Sequence, residues 1–283
     1  MENNKGILYV VGTPIGNLGD ITYRAIETLN NVDIILAEDT RNTLKLLTHF
    51  NIKKTLISYE KHSEQKKLSQ IIDLLDEGKK VALVSDAGMP LISDPGQNLI
   101  KYLRENNYNI SIIPGVTALI TGIVGSGIDS TRFSFEGFLS VSKKQRKIHL
   151  ASIKDETRTM IFYEAPHKLL YTLQDLYAII GNRKICVARE LSKIHEEYRV
   201  TKIYDEIVRI QKEGIKGEIV LIVEGKDSKK LEEEKISIFS TKSNVELVKE
   251  YIKNGMDKKD AIKQVAKDKK ITKNEVYKDC IDL

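Results

Sequence analysis

Tryptophan is missing from this 283-residue chain, and cysteine, proline and long apolar runs are scarce. Each shortage excludes something. Two cysteines, Cys186 and Cys280, lie far apart and belong to no CxxC pair, so neither a disulfide framework nor a cysteine zinc site is expected. The five histidines show no HxxxH or HExxH spacing, so no metal site is expected either. Five prolines form no Pro-rich tract. No apolar run approaches the ~20 residues of a membrane-spanning helix. The start, MENNKGILYVVG, lacks the charged-then-apolar pattern of a signal peptide, which points to a cytoplasmic protein.

What is present suits a folded protein with an ample core: 41% hydrophobic and 30% charged residues. The net charge of +5 permits a polyanionic partner without requiring one. Lys143, Lys144, Arg146 and Lys147 fall within five residues with no acid among them. Such a run is either a solvated helix face or a phosphate-binding patch.

The first 118 residues alternate short β-rich runs with helical patterns. Ile7–Val11, 32–36, 55–59, 81–84 and 110–113 read as strands; residues 21–31 and 64–77 read as helices. Continuous apolar strands separated by helices predict a parallel sheet buried on both faces, which binds its ligand beyond the carboxyl ends of the strands. The segments that follow the strands are GTPIGN, AEDTRN, SYEKHSE, SDAGMPLISDPG and PGVTA, all rich in small or polar residues. A second, smaller α/β domain is expected over 119–226, with strands near 133–138, 159–163, 184–188 and 218–223. Residues 227–243 read as a charged linker, and 244–283 as a helical, helix-turn-helix-like domain. Its expected signals are an Asp257 cap and a Thr272/Glu275 capping box.

Each motif also has a plain reading. Gly12-Thr13-Pro14-Ile15-Gly16-Asn17 lets backbone approach a ligand, or is an ordinary tight turn; it is neither GxGxxG nor a phosphate-binding P-loop. Asp86 can accept hydrogen bonds from an amine or a ribose hydroxyl, with Gly88 and Pro90 shaping the bend beside it. Asp94 reads as a helix N-cap rather than a ligand contact. Thr117 either binds a ligand or caps a helix, and ARELSKIHEEYR reads equally as a solvated loop.

Taken together and in order, GTPIGN, AEDTR, SDAGMPLISDPG, PGVTA, YEAPHK, ARELSKIHEE and KGE resemble the tetrapyrrole methylase superfamily, and within it the branch acting on small-subunit ribosomal RNA. The resemblance spans residues 7–225 and extends to the helical tail. It implies two α/β domains with S-adenosylmethionine in the cleft between them, a homodimer, and 2′-O-methylation of a cytidine in the decoding region of 16S ribosomal RNA. Family cofactor contacts would fall on Gly12, Pro14 and Gly16, on Asp86, Gly88 and Pro90, on Pro114, Gly115 and Thr117, and on the second domain near Tyr163, Leu191 and Glu218. A ribose hydroxyl is a poor acid, so a base should assist. The strand-end carboxylates Glu38, Asp39, Glu164 and Glu190 are the candidates, with Arg41 and Arg189 to orient them or pin a phosphate. Asp39 with Arg41 is preferred, because both lie in a loop facing the expected cleft. The alternatives are a tetrapyrrole-type or protein methyltransferase of the same superfamily, and a non-catalytic RNA-binding assembly factor.

Overall fold

The computed structural model describes residues 5–60, 62, 64–229, 231–234, 242–281 and 283. Residues 1–4 of the N-terminal segment, Lys61 and Ser63 of the loop after the third strand, 230 and 235–241 of the expected linker, and Asp282 lie outside the described residues. The chain divides into two compact units: residues up to 154 with 159–224, and 155–158 with 225–283.

The first unit holds two five-stranded sheets. One is built from β1 (Ile7–Val11), α1 (Tyr23–Asn31), β2 (Ile34–Ala37), α2 (Thr40–His49), β3 (Thr55–Ser58), α3 (Glu64–Asp76), β4 (Lys80–Val84), α4 (Gln97–Glu105) and β5 (Asn109–Ile113). Its order is β3-β2-β4-β1-β5, with every pairing parallel. Ile71 and Leu75 of α3 with Leu99 and Leu103 of α4 cover one face, and Ala25, Leu29 and Leu47 of α1 and α2 cover the other. Burial on both faces is why the strands read as unbroken apolar runs. Parallel pairing also collects all five strand-end loops on one edge.

The other sheet uses α5 (Ala118–Ser126), β6 (Phe133–Phe138), α6 (Lys143–Ser152), β7 (Thr159–Glu164), α7 (Pro166–Ile180), β8 (Lys184–Arg189), β9 (Glu197–Lys202), α8 (Ile203–Glu213) and β10 (Ile219–Val223). Its order is β6-β7-β10-β8-β9, parallel at β6–β7 and antiparallel elsewhere. Leu169, Leu173 and Leu176 of α7 are fully buried against one face; each contributes about 1.5–3 kcal/mol. On the other face α5 lies unusually close, because Gly122 and Gly125 leave room. A Cβ at Gly125 would collide with the Tyr198 ring.

Three local expectations need correction. β9 takes up the end of the block read as a possible solvated loop; an edge strand carries charge on its open side. Helix α2 was not read from the sequence, and α4 was implied only by the cap expected at Asp94. Asp94 does not cap α4: Gly96, at φ 125°, holds the N-cap position, with no side-chain cap bond.

The second unit contains α9 (Asn244–Lys253), α10 (Lys258–Lys269) and α11 (Lys273–Asp279) around their own core of Leu247, Val248, Ile262, Val265 and Val276. Asp257 caps α10 by accepting from the Asp260 amide. Thr272 with Glu275, and Ser243 with Glu246, form complete capping boxes.

Candidate active site

The strand-end loops of the first sheet and the β7, β8 and β10 ends of the second enclose a cleft of about 440 Å³. The antiparallel register brings the second wall together: Ile219 pairs with Glu164 on one side and Arg189 on the other, so Glu218 stands beside the ends of β7 and β8. Apolar surface comes from Ile15, Met89, Ile92, Phe138, Leu191 and Val220. Five carboxyl groups line the cleft, from Glu38, Asp86, Asp94, Glu164 and Glu218, and among the described residues no Lys, Arg or His lines it with them. Among the described residues no three His, Cys, Asp or Glu side chains group so as to hold a metal ion. A second lobe of about 300 Å³ shares Ile15, Asp86, Ala87 and Glu218 and extends to Pro14, Gly16, Asn42, Lys45 and Lys193.

Eight of the sequence candidates therefore line the main lobe: Glu38, Asp86, Gly88, Thr117, Tyr163, Glu164, Leu191 and Glu218. Pro14 and Gly16 line the second lobe; Gly12, Pro90, Pro114 and Gly115 line neither. The glycines at 12 and 115 meet each other instead. A Cβ on Gly12 would come within 2.8 Å of the Gly115 Cα, so the loops after β1 and β5 need both glycines to touch. Thr13 and Gly88 exchange backbone hydrogen bonds of 2.8 and 3.1 Å, and the Thr13 hydroxyl donates to the Ser85 carbonyl, which locks the loops after β1 and β4 together. Gly88 sits at φ 79°, a conformation that favours glycine.

The carboxylates differ sharply in their partners. Asp86 accepts from the Asp39 amide and from Asn42 Nδ2, both at 3.1 Å. Asp39 caps α2 by accepting from the Arg41 amide, and it pairs bidentately with the Arg41 guanidinium at 2.7 and 3.1 Å. That hydrogen-bonded guanidinium holds the Asp39 carboxyl down at about 2, far too low for a base near neutrality. Glu190 accepts from the Glu218 amide and pairs with Lys193; the amide bond and the lysine lower its pKa. Arg189 is held by Glu197 at 2.5 Å. Glu164, buried, accepts from the Thr172 hydroxyl at 2.6 Å and from the Ala165 amide.

Glu38 and Asp94 behave otherwise. Burial, then the negative charges of Asp94 and Asp86, raise the Glu38 pKa. Burial raises Asp94 to about 6, against a hydrogen bond from Ser85 and with help from Asp86. Of the two, Asp94 escaped the sequence reading. Asp-Pro-Gly before an amphipathic helix imitates a cap, and only the three-dimensional assembly puts its carboxylate in the cleft.

In the basic run, Arg146 is engaged within the protein. Its guanidinium and the Asp175 carboxylate are each 12% exposed and 2.8 Å apart, and Arg146 also donates to the Ser140 carbonyl. Lys143, Lys144 and Lys147 remain exposed on α6.

A family profile described as tetrapyrrole (corrin/porphyrin) methylases matches residues 7–206. Curated proteins named ribosomal RNA small subunit methyltransferase I are similar over nearly the whole chain. The one from Halalkalibacterium halodurans is 45% identical, covering 98% of this chain and 95% of its own. The Bacillus subtilis protein is 43% identical, covering 98% and 94%. The Thermotoga maritima protein of that name is 47% identical over 222 residues, which is 78% of this chain and all of its own. Among solved structures, a cobalt precorrin-4 methyltransferase superposes with a TM-score of 0.60 at 16% identity, over 77% of this chain and 94% of that one; it shares the fold.

Proposed function

This chain belongs to the tetrapyrrole (corrin/porphyrin) methylase family, and on that premise we propose that it transfers the methyl group of S-adenosylmethionine to the 2′-oxygen of a cytidine ribose in the decoding region of 16S ribosomal RNA. The observation that carries this reading is the charge of the cleft. Its described lining offers five carboxyl groups, no basic side chain and apolar surface between them, a set of acceptors that suits a ligand with a cationic sulfonium, an ammonium group and ribose hydroxyls. When bound, S-adenosylmethionine supplies a sulfonium-activated methyl group, already strongly electrophilic.

The residues then have definite tasks. Asp86, Gly88, Thr117, Tyr163, Leu191 and Glu218 hold the donor, with Pro14 and Gly16 shaping the adjoining lobe. The loops around Gly12, Pro90, Pro114 and Gly115 fix those contacts from behind. Phe135 and Phe138 pack edge-on against Tyr163, with ring centres 4.8 and 5.6 Å away, and give that wall an aromatic surface. An anionic cleft repels phosphates, so the RNA backbone must stay on its rim and present only the ribose. Arg41, 85% exposed, and the lysines at 143, 144 and 147 are the cations placed to receive it.

The protein acts as a cytoplasmic homodimer on RNA within the small ribosomal subunit. Exposed Ile120 and Val124 on α5 support self-association, and no helix among the described residues is long and apolar enough to cross a membrane. Calorimetry with S-adenosylmethionine, followed by mapping of 2′-O-methyl marks in 16S ribosomal RNA with and without the protein, tests the reading. Binding together with one protein-dependent mark on a decoding-region cytidine is expected. Binding with methylation of a tetrapyrrole or a protein instead would overturn the RNA assignment, and loss of binding would overturn the enzyme.

A further inference from the structure

We infer that Asp94 accepts the proton of the acceptor hydroxyl during methyl transfer, a catalytic role distinct from holding the donor. The assignment rests on the methyltransferase reading above. Its basis is elimination by partner. Asp86 is engaged by the Asp39 amide and Asn42, Glu164 by Thr172 and Ala165, Glu218 by Lys193, Glu190 by Lys193 and the Glu218 amide, and Asp39 by Arg41. Asp94 lies on the cleft wall, has no ion pair among the described residues, and is relieved of capping by Gly96. The groups facing it are the Ser85 hydroxyl, the carboxylates of Glu38 and Asp86, and the Tyr163 phenol on the opposite sheet. Among these, Glu38 is the rival base, and its carboxylate already accepts a hydrogen bond from the Asp86 amide.

The backbone supports the assignment. Leu91 and Ser93 sit at φ 73° and 75°, left-handed conformations that non-glycine residues adopt only where the surroundings over-determine them. This bend carries the chain after β4 into the cleft and sets Asp94 there. Burial and the Asp86 charge bring its carboxyl to about 6, close enough to neutral pH for a carboxylate that is ionised yet still basic.

In the transfer step the 2′ O–H bond breaks and its proton passes to an Asp94 carboxylate oxygen. The hydroxyl oxygen's electron pair forms the new O–CH₃ bond. The S–CH₃ bond of S-adenosylmethionine breaks, and its electron pair stays on sulfur as a neutral thioether. Asp94 then returns the proton to water.

The test uses the full chain, a small-subunit RNA substrate and the variants Asp94→Asn, Asp94→Glu and Glu38→Gln. Donor affinity is measured by calorimetry, single-turnover rate across pH, and the aspartate carboxyls of the donor-free protein by ¹³C NMR. Asp94→Asn should keep near-normal donor affinity and lose about 10²–10⁴-fold in rate. The wild-type rate should rise with pH through an inflection near 6 that Asp94→Asn abolishes, alongside loss of a carboxyl resonance titrating there. Asp94→Glu should recover part of the rate. An Asp94→Asn variant that turns over normally, or that loses donor affinity while keeping its rate, overturns the assignment. So does an inflection that survives in Asp94→Asn and disappears in Glu38→Gln. A wild-type protein that leaves the RNA unmethylated takes down the methyltransferase reading and this assignment together, whereas an active wild type with an active Asp94→Asn takes down the assignment alone.

Discussion

On the loops ringing the cleft, acids sit against bases: Asp39 against Arg41 at 2.7 Å, Glu197 against Arg189 at 2.5 Å, Glu190 and Glu218 against Lys193 at 3.1 and 2.9 Å. On the floor, burial with the charges of Asp94 and Asp86 raises the Glu38 pKa, burial with the charge of Asp86 raises that of Asp94, and among the described residues no cation forms an ion pair with any of the three. The same residue types thus serve opposite ends. Paired charges on the rim stiffen loops and leave the carboxyls spent; unpaired charges on the floor stay available to a cation or a proton.

The largest test of this contrast lies at the best-buried pair. Arg146→Ala would strand Asp175 and should destabilise the first unit by about 3 kcal/mol, read by denaturant unfolding. The triple Lys143, Lys144, Lys147→Ala variant should unfold like wild type but bind RNA more weakly, with a flatter dependence on salt. If Arg146→Ala proves harmless and weakens RNA binding instead, Arg146 belongs with the lysines and the division between paired and free charges fails.

Next comes Asp86, the floor carboxylate whose hydrogen bonds fix the Asp39 amide and Asn42. Asp86→Ala should cost about 1.5–3 kcal/mol of S-adenosylmethionine binding, roughly 10- to 100-fold in Kd by calorimetry, in a protein whose circular dichroism is unchanged. Unaltered affinity in a folded variant would remove Asp86 from the donor site.

How far the sequence foretold this contrast depends on distance along the chain. The strands of the first sheet were legible because burial on both faces makes them unbroken apolar runs, as in Ile7–Val11. β9 was not, since Glu197–Lys202 is an edge whose charges look like a solvated loop. α2 buries only Thr43 and Leu47, too thin a stripe to announce a helix. The pairs Asp39–Arg41 and Glu190–Lys193 are two and three residues apart, so their mutual neutralisation could have been anticipated. The Glu38–Asp86–Asp94 group could not, because it exists only once β2 and β4 become neighbours. Gly12 was read as making room for a ligand or as part of an ordinary tight turn; the backbone it meets is that of Gly115, a contact fixed by β1 and β5 lying side by side.

A smaller effect follows from the raised Asp94 pKa. A carboxyl whose folded pKa lies above its ordinary value favours the protonated form, so folding is not penalised below the ordinary range near pH 4. The penalty grows as pH rises and is complete above about 6. Asp94→Asn removes it. At pH 7.5 this variant should be more stable than wild type by about 1–2 kcal/mol, allowing for water in the open cleft, and the advantage should fade by pH 4. Thermal melts at the two pH values check the sign. A variant less stable at pH 7.5 would mean that Asp94 makes a stabilising contact and is not a strained floor charge.

The smallest effect should come from the rim. Arg41 is mostly solvent-exposed and its pairing with Asp39 spans two residues, so Arg41→Ala should leave stability nearly unchanged. Asp39→Ala additionally removes the cap on α2, so it should be the more destabilising of the two. Neither should disturb donor binding much, because Asp39 meets Asp86 through its backbone amide, which alanine retains. Methyl transfer should likewise survive Asp39→Ala, since a carboxyl held at about 2 by its guanidinium partner has little basicity to contribute. Arg41→Ala should show its effect in RNA affinity alone, with the salt slope reduced by about one if it holds a single phosphate. A large loss of single-turnover rate in Asp39→Ala, with RNA and donor affinities intact, would move the base from the floor to the rim and reverse the contrast on which these expectations stand.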